Sequence, residues 1–298
     1  VNASMVRPLR DRQMLDAFFM ATVGRAADFS VPGAGKTATV LGVFAYLRHL
    51  GHARRIVVVC PKNGFESWEK EWVATFGDKL PLSCFSLGDP AIAAMSTERR
   101  RNALSLDSGA CNLFTFNYES LSGYVRELHS IIPDQTLLVF DEVHRVKAIG
   151  GRRAEAALEA ADGAKFVIAL TGTPIPNTYQ DIYNLLHILY PEDYDLWENQ
   201  PWKFAPRDGE PMVHVFERMK SCVDRIAGEH PGKTVCIATH GCAIRNFLCY
   251  AGGKPIEELN SVEWCDNTAV SVVEYDDSFV PHIVSQNDAS HLNPEVST

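Results

Sequence analysis

Up to about residue 192 the chain alternates short apolar runs, rich in β-branched residues, with stretches of helical spacing. Five runs read as strands: RIVVVC (55–60), LSCFSL (82–87), NLFTFN (112–117), TLLVFD (136–141) and FVIALTG (166–172). They lack a regular apolar/polar alternation and are mostly apolar, the pattern of strands buried on both faces. Between them, TATVLGVFAYLRHLG and ESWEKEWVATFG carry helical spacing. A mainly parallel sheet flanked by helices, an α/β fold, satisfies both patterns.

The segment HILYPEDYDLWENQPWKFAPRDGEP (187–211) breaks this rhythm with a proline-ended helix and a Trp/Pro-rich hinge. The alternation then restarts with helix PMVHVFERMKSCVDRIAGEH, strand TVCIATH, helix CAIRNFLCYAGG, and strands AVSVVEYD and VPHIVSQ. The expected organisation is a first domain at 1–192, a junction at 193–204 and a smaller α/β segment at 205–298. About 100 residues is thin for an independent domain of this class, so the tail is expected to lean on the first unit.

Composition narrows the classes. The 298 residues are 46% hydrophobic, enough for one large or two modest cores. No run of about 18 apolar residues occurs and VNASMVRPLRDRQM lacks the apolar centre of a signal peptide, so the expected location is cytoplasmic, with no membrane partner. The eight cysteines form no C-x-x-C pair and are expected as reduced, mostly buried thiols. Of the net charge of −9, residues 197–298 carry −7 (8 basic, 15 acidic), leaving −2 before them. A nucleic-acid partner would therefore meet the first two thirds, at RR (54–55), RRR (99–101) or RVK…GRR (145–153), although each cluster reads more readily as a solvated face than as a DNA contact.

FSVPGAGKTATVL (29–41) places two glycines and a lysine at the mouth of a helix. Gly33, Ala34 and Gly35 would let backbone N–H groups converge on phosphate oxygens, and the helix N-terminus adds positive potential. Lys36 would reach the terminal phosphates and Thr37 would offer its hydroxyl to Mg²⁺. The complete G-x-x-x-x-G-K-[ST] pattern needs glycine where Ser30 stands. TLLVFDEVH supplies what such a site lacks, an apolar strand ending in acid: Asp141 for the metal and Glu142 to polarise the attacking water. A nucleotide with Mg²⁺ is the ligand this pair of motifs predicts.

Together these residues resemble the Swi/Snf-type members of the superfamily 2 helicase-like ATPases, from about residue 9 to 192. LRDRQ (9–13) is similar to the adenine-reading motif, with Gln13 the reader, and VVVCPKNGFESWEKEW (57–72) and FNYESL (116–121) fall in the family's order. DEVH (141–144) matches the metal and base box, and LTGTPIPNTYQDIYNLLHILYP (170–191) the family's most characteristic run. The resemblance implies a RecA-like lobe, contact with duplex DNA, and roles for His144, Thr171 and Thr173 in coupling hydrolysis to DNA. It also implies a second lobe carrying arginines, which nothing after residue 192 resembles. An arginine finger is worth about 10³–10⁵ in rate, so this chain is expected to bind ATP better than it hydrolyses it, with a second lobe or partner chain completing the site. Trp68 and Trp72, four residues apart, read as core packing.

The tail resembles a different family. APRDGEPMVHVFERM (205–219), TVCIATHGCAIRNFLCYAGG (234–253), CDNTAVSVVEYD (265–276) and NDASHL (287–292) are similar, in order, to the second half of the histidine phosphatases, relatives of phosphoglycerate mutase. That resemblance implies phosphate binding by His240 and Gly241. The nucleophilic Arg-His-Gly box is missing: Arg48-His49 continues as Leu50-Gly51 and reads as a helix-end pair. Asp208, Glu210, Arg218 and Asn267 fit the tail pattern and equally the roles of helix-start and loop tethers. Three functions stay open: a weakly hydrolysing helicase-like ATPase domain, a phosphomonoesterase or phosphotransferase, and a noncatalytic module. A natural fusion, a truncated product and a chimera would all read this way.

Overall fold

The computed structural model describes residues 4–107, 109–133, 135–175, 179–206 and 209–291. Asp208, Leu292 and residues 176–178 of the TGTPIPNT run lie outside the described residues. The chain divides into two compact units, Val1–Pro191 and Glu192–Thr298.

The first unit holds strands β1 (Arg25–Asp28), β2 (Arg55–Val59), β3 (Cys84–Ser86), β4 (Leu113–Phe116), β5 (Thr136–Asp141) and β6 (Phe166–Leu170). Its helices are α1 (Asp11–Val23), α2 (Lys36–His49), α3 (Phe65–Phe76), α4 (Pro90–Ala93), α5 (Thr97–Asp107), α6 (Tyr118–Leu121), α7 (Val125–Leu128), α8 (Arg152–Ala161) and α9 (Tyr183–Leu189). The strands form one sheet in the order β1-β6-β5-β2-β4-β3. Every neighbouring pair is parallel. The sheet is therefore the flanked parallel α/β sheet that the apolar runs predict.

Successive strand residues point to opposite faces, and here both faces are covered. Ile56 and Val58 join Val139 and Ile168 under α2 and α3, while Val57 and Val59 join Leu138 and Val167 under α8 and α9. This is why the runs lack alternation. On the first face Trp72 lies 5.3 Å from Phe44 of α2 and 5.0 Å from Phe76, ring centre to ring centre. The α3 face carrying Trp68, Trp72 and Phe76 is fully buried.

Strand β1 was not among the expected strands. RAAD is only four residues long and lacks a β-branched position, and its pairing comes entirely from β6, with Ala26 opposite Ile168. Arg25 closes that corner by donating to the carbonyls of Ala161 (2.9 Å) and Ala164 (2.6 Å).

The second unit contains α10 (Pro191–Asn199), α11 (Met212–Glu229), α12 (Gly241–Ala251), β7 (Val270–Tyr275) and β8 (Pro281–Asp288). Among the described residues, strands β7 and β8 pair only with each other, antiparallel. The expected junction at 193–204 is helical, and Trp197 stacks on Trp264 at 6.0 Å. The apolar run TVCIATH (234–240) corrects the reading as a strand: it has no assigned secondary structure and is exposed throughout, with Val235 at 44% and Ile237 at 42%. Backbone becomes a strand only by pairing, and among the described residues no strand pairs with this run.

All eight cysteines are free, but the expectation that most are buried is corrected: only Cys60 and Cys249 are fully buried, and Cys236 is exposed because it sits in that unpaired run. Among the described residues no helix is long and apolar enough to cross a membrane. Because Trp72 is completely buried between α2 and α3, Trp72→Ala is expected to destabilise the first unit by about 3–5 kcal/mol in urea unfolding, whereas Val73→Ala, on the exposed face, changes stability by about 0.5 kcal/mol or less.

Candidate functional site

In a parallel sheet every strand delivers its carboxyl end to the same edge, and ligands of open α/β sheets bind outside that edge. Strand β1 runs there into residues 29–35 and then the N-terminus of α2; β5 ends there at Asp141; β6 ends there just before Thr171.

The loop after β1 has the conformation that its glycines permit. Gly33 (φ 83°) and Gly35 (φ 89°) are left-handed, and Gly35 is the residue before the first turn of α2. A Cβ on Gly33 would meet nothing within 4 Å, so there only conformation demands glycine; on Gly35 it would lie 2.5 Å from Gln13 Nε2. That close approach is used: Gln13 Nε2 donates to the carbonyls of Ala34 (3.3 Å) and Gly35 (3.4 Å), while its Oε1 accepts from the Arg10 N–H (3.1 Å). Gln13 thus ties α1 to the loop. A cavity of about 180 Å³ opens beside it, lined by Pro8, Leu9, Arg10, Gln13, Ala38 and Thr75.

Lys36 Nζ donates to the carbonyls of Ser30 (2.7 Å) and Val31 (3.3 Å), and Thr37 follows it in the first turn of α2, half-buried. Ser30, where the complete pattern has glycine, is held by its N–H on Asp28 Oδ1 at 2.8 Å.

The acidic pair is fixed from several directions. Asp141 Oδ2 accepts the indole N–H of Trp68 at 2.9 Å, and its carbonyl accepts the hydroxyl of buried Tyr118 at 2.8 Å. Burial pushes the Asp141 carboxyl above its ordinary pKa; the Trp68 bond and the charge of Lys36 pull the other way, while Glu142 adds to the rise. Glu142 has a left-handed backbone (φ 55°), uncommon for a residue with a side chain and costing about 1–3 kcal/mol. Its Oε2 lies 3.2 Å from His144 Nδ1, which is also 2.9 Å from the hydroxyl of buried Thr171. Thr171 Oγ1 in turn accepts the Thr173 N–H at 3.1 Å. One chain of contacts therefore runs from Glu142 on β5 to the turn after β6.

Three contributors escaped the sequence reading. Trp68 looked like core alone, although an indole N–H buried at a strand end needs an acceptor; Tyr118 stood inside a family motif without a role; Asp28 belonged to an unrecognised strand. His240 and Gly241 lie in the second unit, at the start of α12, where the exposed His240 makes no side-chain capping bond. Glu210 and Arg218 form a two-pronged ion pair (2.9 and 2.8 Å), the tethering geometry. Several of the basic clusters serve local contacts. Arg100 donates to the carbonyls of Ile92 and Ala93, Arg101 to that of Gly123, Arg152 to Ser122, and Arg153 pairs with Glu119.

The donor set suits Mg²⁺, a hard cation held in nucleotide sites by one or two protein oxygens plus phosphate and water: a Thr37 hydroxyl at the loop helix and a half-buried carboxylate at Asp141. Among the described residues no cluster of three or more His, Cys, Asp or Glu side chains forms a protein-only metal cage.

Residues 30–226 match the family model of the SNF2-related domain, and residues 179–289 match that of the histidine phosphatase superfamily (branch 1), the two overlapping at 179–226. The chain belongs to the SNF2-related domain family. Chromodomain-helicase-DNA-binding protein 1-like from Danio rerio is 30% identical over 70% of this chain and 20% of that protein. Phosphoserine phosphatase 1 from Hydrogenobacter thermophilus is 28% identical over 30% of this chain and 41% of the phosphatase. The chain thus spans well under half of either relative. The SWI2/SNF2 ATPase core of Sulfolobus solfataricus, solved with double-stranded DNA, overlays with a TM-score of 0.49 at 20% identity, covering 74% of this chain and 44% of that one, an overlap too loose to add to the family match.

The raised pKa of Asp141 has a consequence for stability. Its folded value lies above the unfolded one, so the folded state resists ionisation: the stability present below the unfolded carboxylate value is lost as pH rises through the folded value. Asp141→Asn is therefore expected to raise the melting temperature at pH 7, with the gain shrinking as pH falls toward the ordinary carboxylate range. A loss of stability at pH 7 would show that the carboxylate is better satisfied than its burial implies.

Proposed function

We propose that the first unit binds Mg-ATP at the edge formed by the β1–α2 loop and the ends of β5 and β6, and hydrolyses it slowly. The observation that carries this reading is that a glycine loop with a lysine, a half-buried carboxylate pair and a His–Thr link converge on one sheet edge although they are drawn from residues 30 to 173.

In this reading the backbone N–H groups of Gly33, Ala34 and Gly35 and the α2 terminus take phosphate oxygens. Lys36 exchanges the Ser30 and Val31 carbonyls for the terminal phosphates. Thr37 and Asp141 hold the magnesium shell, and the bound ion offsets phosphate charge. Glu142 orients the attacking water. Through His144, a shift at the γ-phosphate would be felt at Thr171 and Thr173, the turn assigned to coupling. The cavity beside Gln13 is the place for the base, with adenine preferred. A second lobe or partner chain would supply the arginines, and without it turnover stays low.

Duplex DNA is the proposed polymer partner, supported by the family membership and by the DNA-binding relative. Several arginines of the basic clusters are already engaged, so weak DNA binding is expected. Eight free thiols suit a reducing compartment, the cytoplasm or nucleus.

A second reading gives the tail a phosphate-binding role through His240 and Gly241, favoured by the match over 179–289 and by a helix N-terminus next to an exposed imidazole. Without a nucleophilic histidine box it stops at binding unless a partner chain contributes one. An alkali-stable, acid-labile phosphoenzyme lost in His240→Ala would establish phosphotransfer there. A noncatalytic fused module is what remains if neither unit acts on phosphate.

Calorimetry with Mg-ATP tests the leading reading. Lys36→Ala is expected to abolish nucleotide binding, whereas Glu142→Gln keeps binding but lowers phosphate release by about 100-fold. A Lys36→Ala protein that binds like the parent would overturn the assignment.

A further inference from the structure

We infer that Trp68 is a positioning residue for the metal carboxylate: its indole N–H holds Asp141 Oδ2 so that the other carboxylate oxygen is presented to the magnesium shell. The inference rests on the Mg-ATP reading of the first unit.

Helix α3 contains an internal comparison. Trp68 and Trp72 sit four residues apart on one face, both fully buried, and each indole N–H has a partner. Trp72 uses a neutral backbone acceptor nearby, the Leu80 carbonyl at 3.0 Å. Trp68 instead reaches 73 positions along the chain to a carboxylate oxygen at 2.9 Å. Core packing alone requires nothing more than the first arrangement. A buried charge-assisted bond is stronger and more directional than a neutral one, so it fixes the rotation of the group that accepts it. Outer partners of this kind orient metal-binding carboxylates and commonly shift metal affinity by about 10–100-fold when removed.

The Glu142 N–H also bonds the Asp141 carboxylate, from the adjoining residue of the same turn, whereas Trp68 holds it from a separate helix. Tyr118 holds Asp141 by its main-chain carbonyl, which fixes the backbone and not the carboxylate. Helix α3 also buttresses the loop helix, because Trp72 packs on Phe44 of α2. The same rigid helix therefore sets both where α2 lies and how the Asp141 carboxylate turns, placing the two metal-binding oxygens, Thr37 and Asp141, in one frame.

Trp68→Phe keeps most of the ring packing and removes the N–H; Trp72→Phe makes the same change on the same helix away from the carboxylate. The parent chain and both variants are titrated with ATP in Mg²⁺ and in EDTA, with melting temperature measured for each. The parent is expected to bind more tightly with Mg²⁺; Trp68→Phe to lose about tenfold of that enhancement with its EDTA affinity unchanged; and Trp72→Phe to keep the enhancement whatever its melting temperature. In ¹⁵N-tryptophan-labelled parent, the Trp68 indole N–H signal is expected to move in Asp141→Asn and on adding Mg-ATP. An enhancement that survives Trp68→Phe, or falls equally in both variants, overturns the positioning role alone. A parent with no magnesium-dependent binding overturns the Mg-ATP reading and this inference with it.

Discussion

The first unit depends on one constraint: six strands run parallel, so every carboxyl end must emerge on one edge, and both faces of the sheet must be covered. Coverage dictates the sequence, because a strand buried on both faces cannot alternate, and Ile56–Val59 feed two separate cores with successive residues. Convergence dictates the chemistry. Residues far apart in the chain reach the same edge because each ends a strand there: the loop after Asp28, the acidic pair after Phe140, the threonine after Leu170. The left-handed Glu142 and the two left-handed loop glycines, three of the first unit's positive-φ residues, lie on this edge.

What the sequence made legible follows the same division. The double-sided strands could be read because burial on both faces is a local property of five or six residues. The glycine loop and DEVH could be read because the nature of their groups, more than their surroundings, defines them. RAAD could not be read, since a four-residue strand with two alanines owes its state to the neighbour β6. Gln13 stood out by type, but its bonds to the Ala34 and Gly35 carbonyls depend on the packing of α1 against α2. Trp68 was legible only as apolar bulk; the acceptor of its N–H lies 73 residues away, and no local pattern encodes it.

The second unit shows the opposite case. TVCIATH has the composition of a core strand, and composition fixes only that a strand would be favourable if a partner existed. In the described structure the hairpin β7–β8 pairs with itself and 234–240 stays unpaired and exposed. His240, which would complete a strand end in the resembled family, instead begins a helix with its imidazole in solvent. The helices nevertheless pack: Arg245 is buried, donates to the Val262 carbonyl at 2.8 Å and lies 4.6 Å from the centre of the Trp264 ring. Asp224 gathers the hydroxyls of Tyr250 (3.0 Å) and Tyr275 (2.6 Å). These contacts build the core of the second unit.

Hydrogen–deuterium exchange of the full chain, with and without Mg-ATP, most directly tests the claim that nucleotide chemistry resides on the sheet edge of the first unit. Ligand contact raises local protection in the segments it orders. The account predicts slower exchange in residues 30–40 and 141–146 and around Gln13, with 234–246 unchanged. Protection confined to 234–246, or none in either unit, would contradict it.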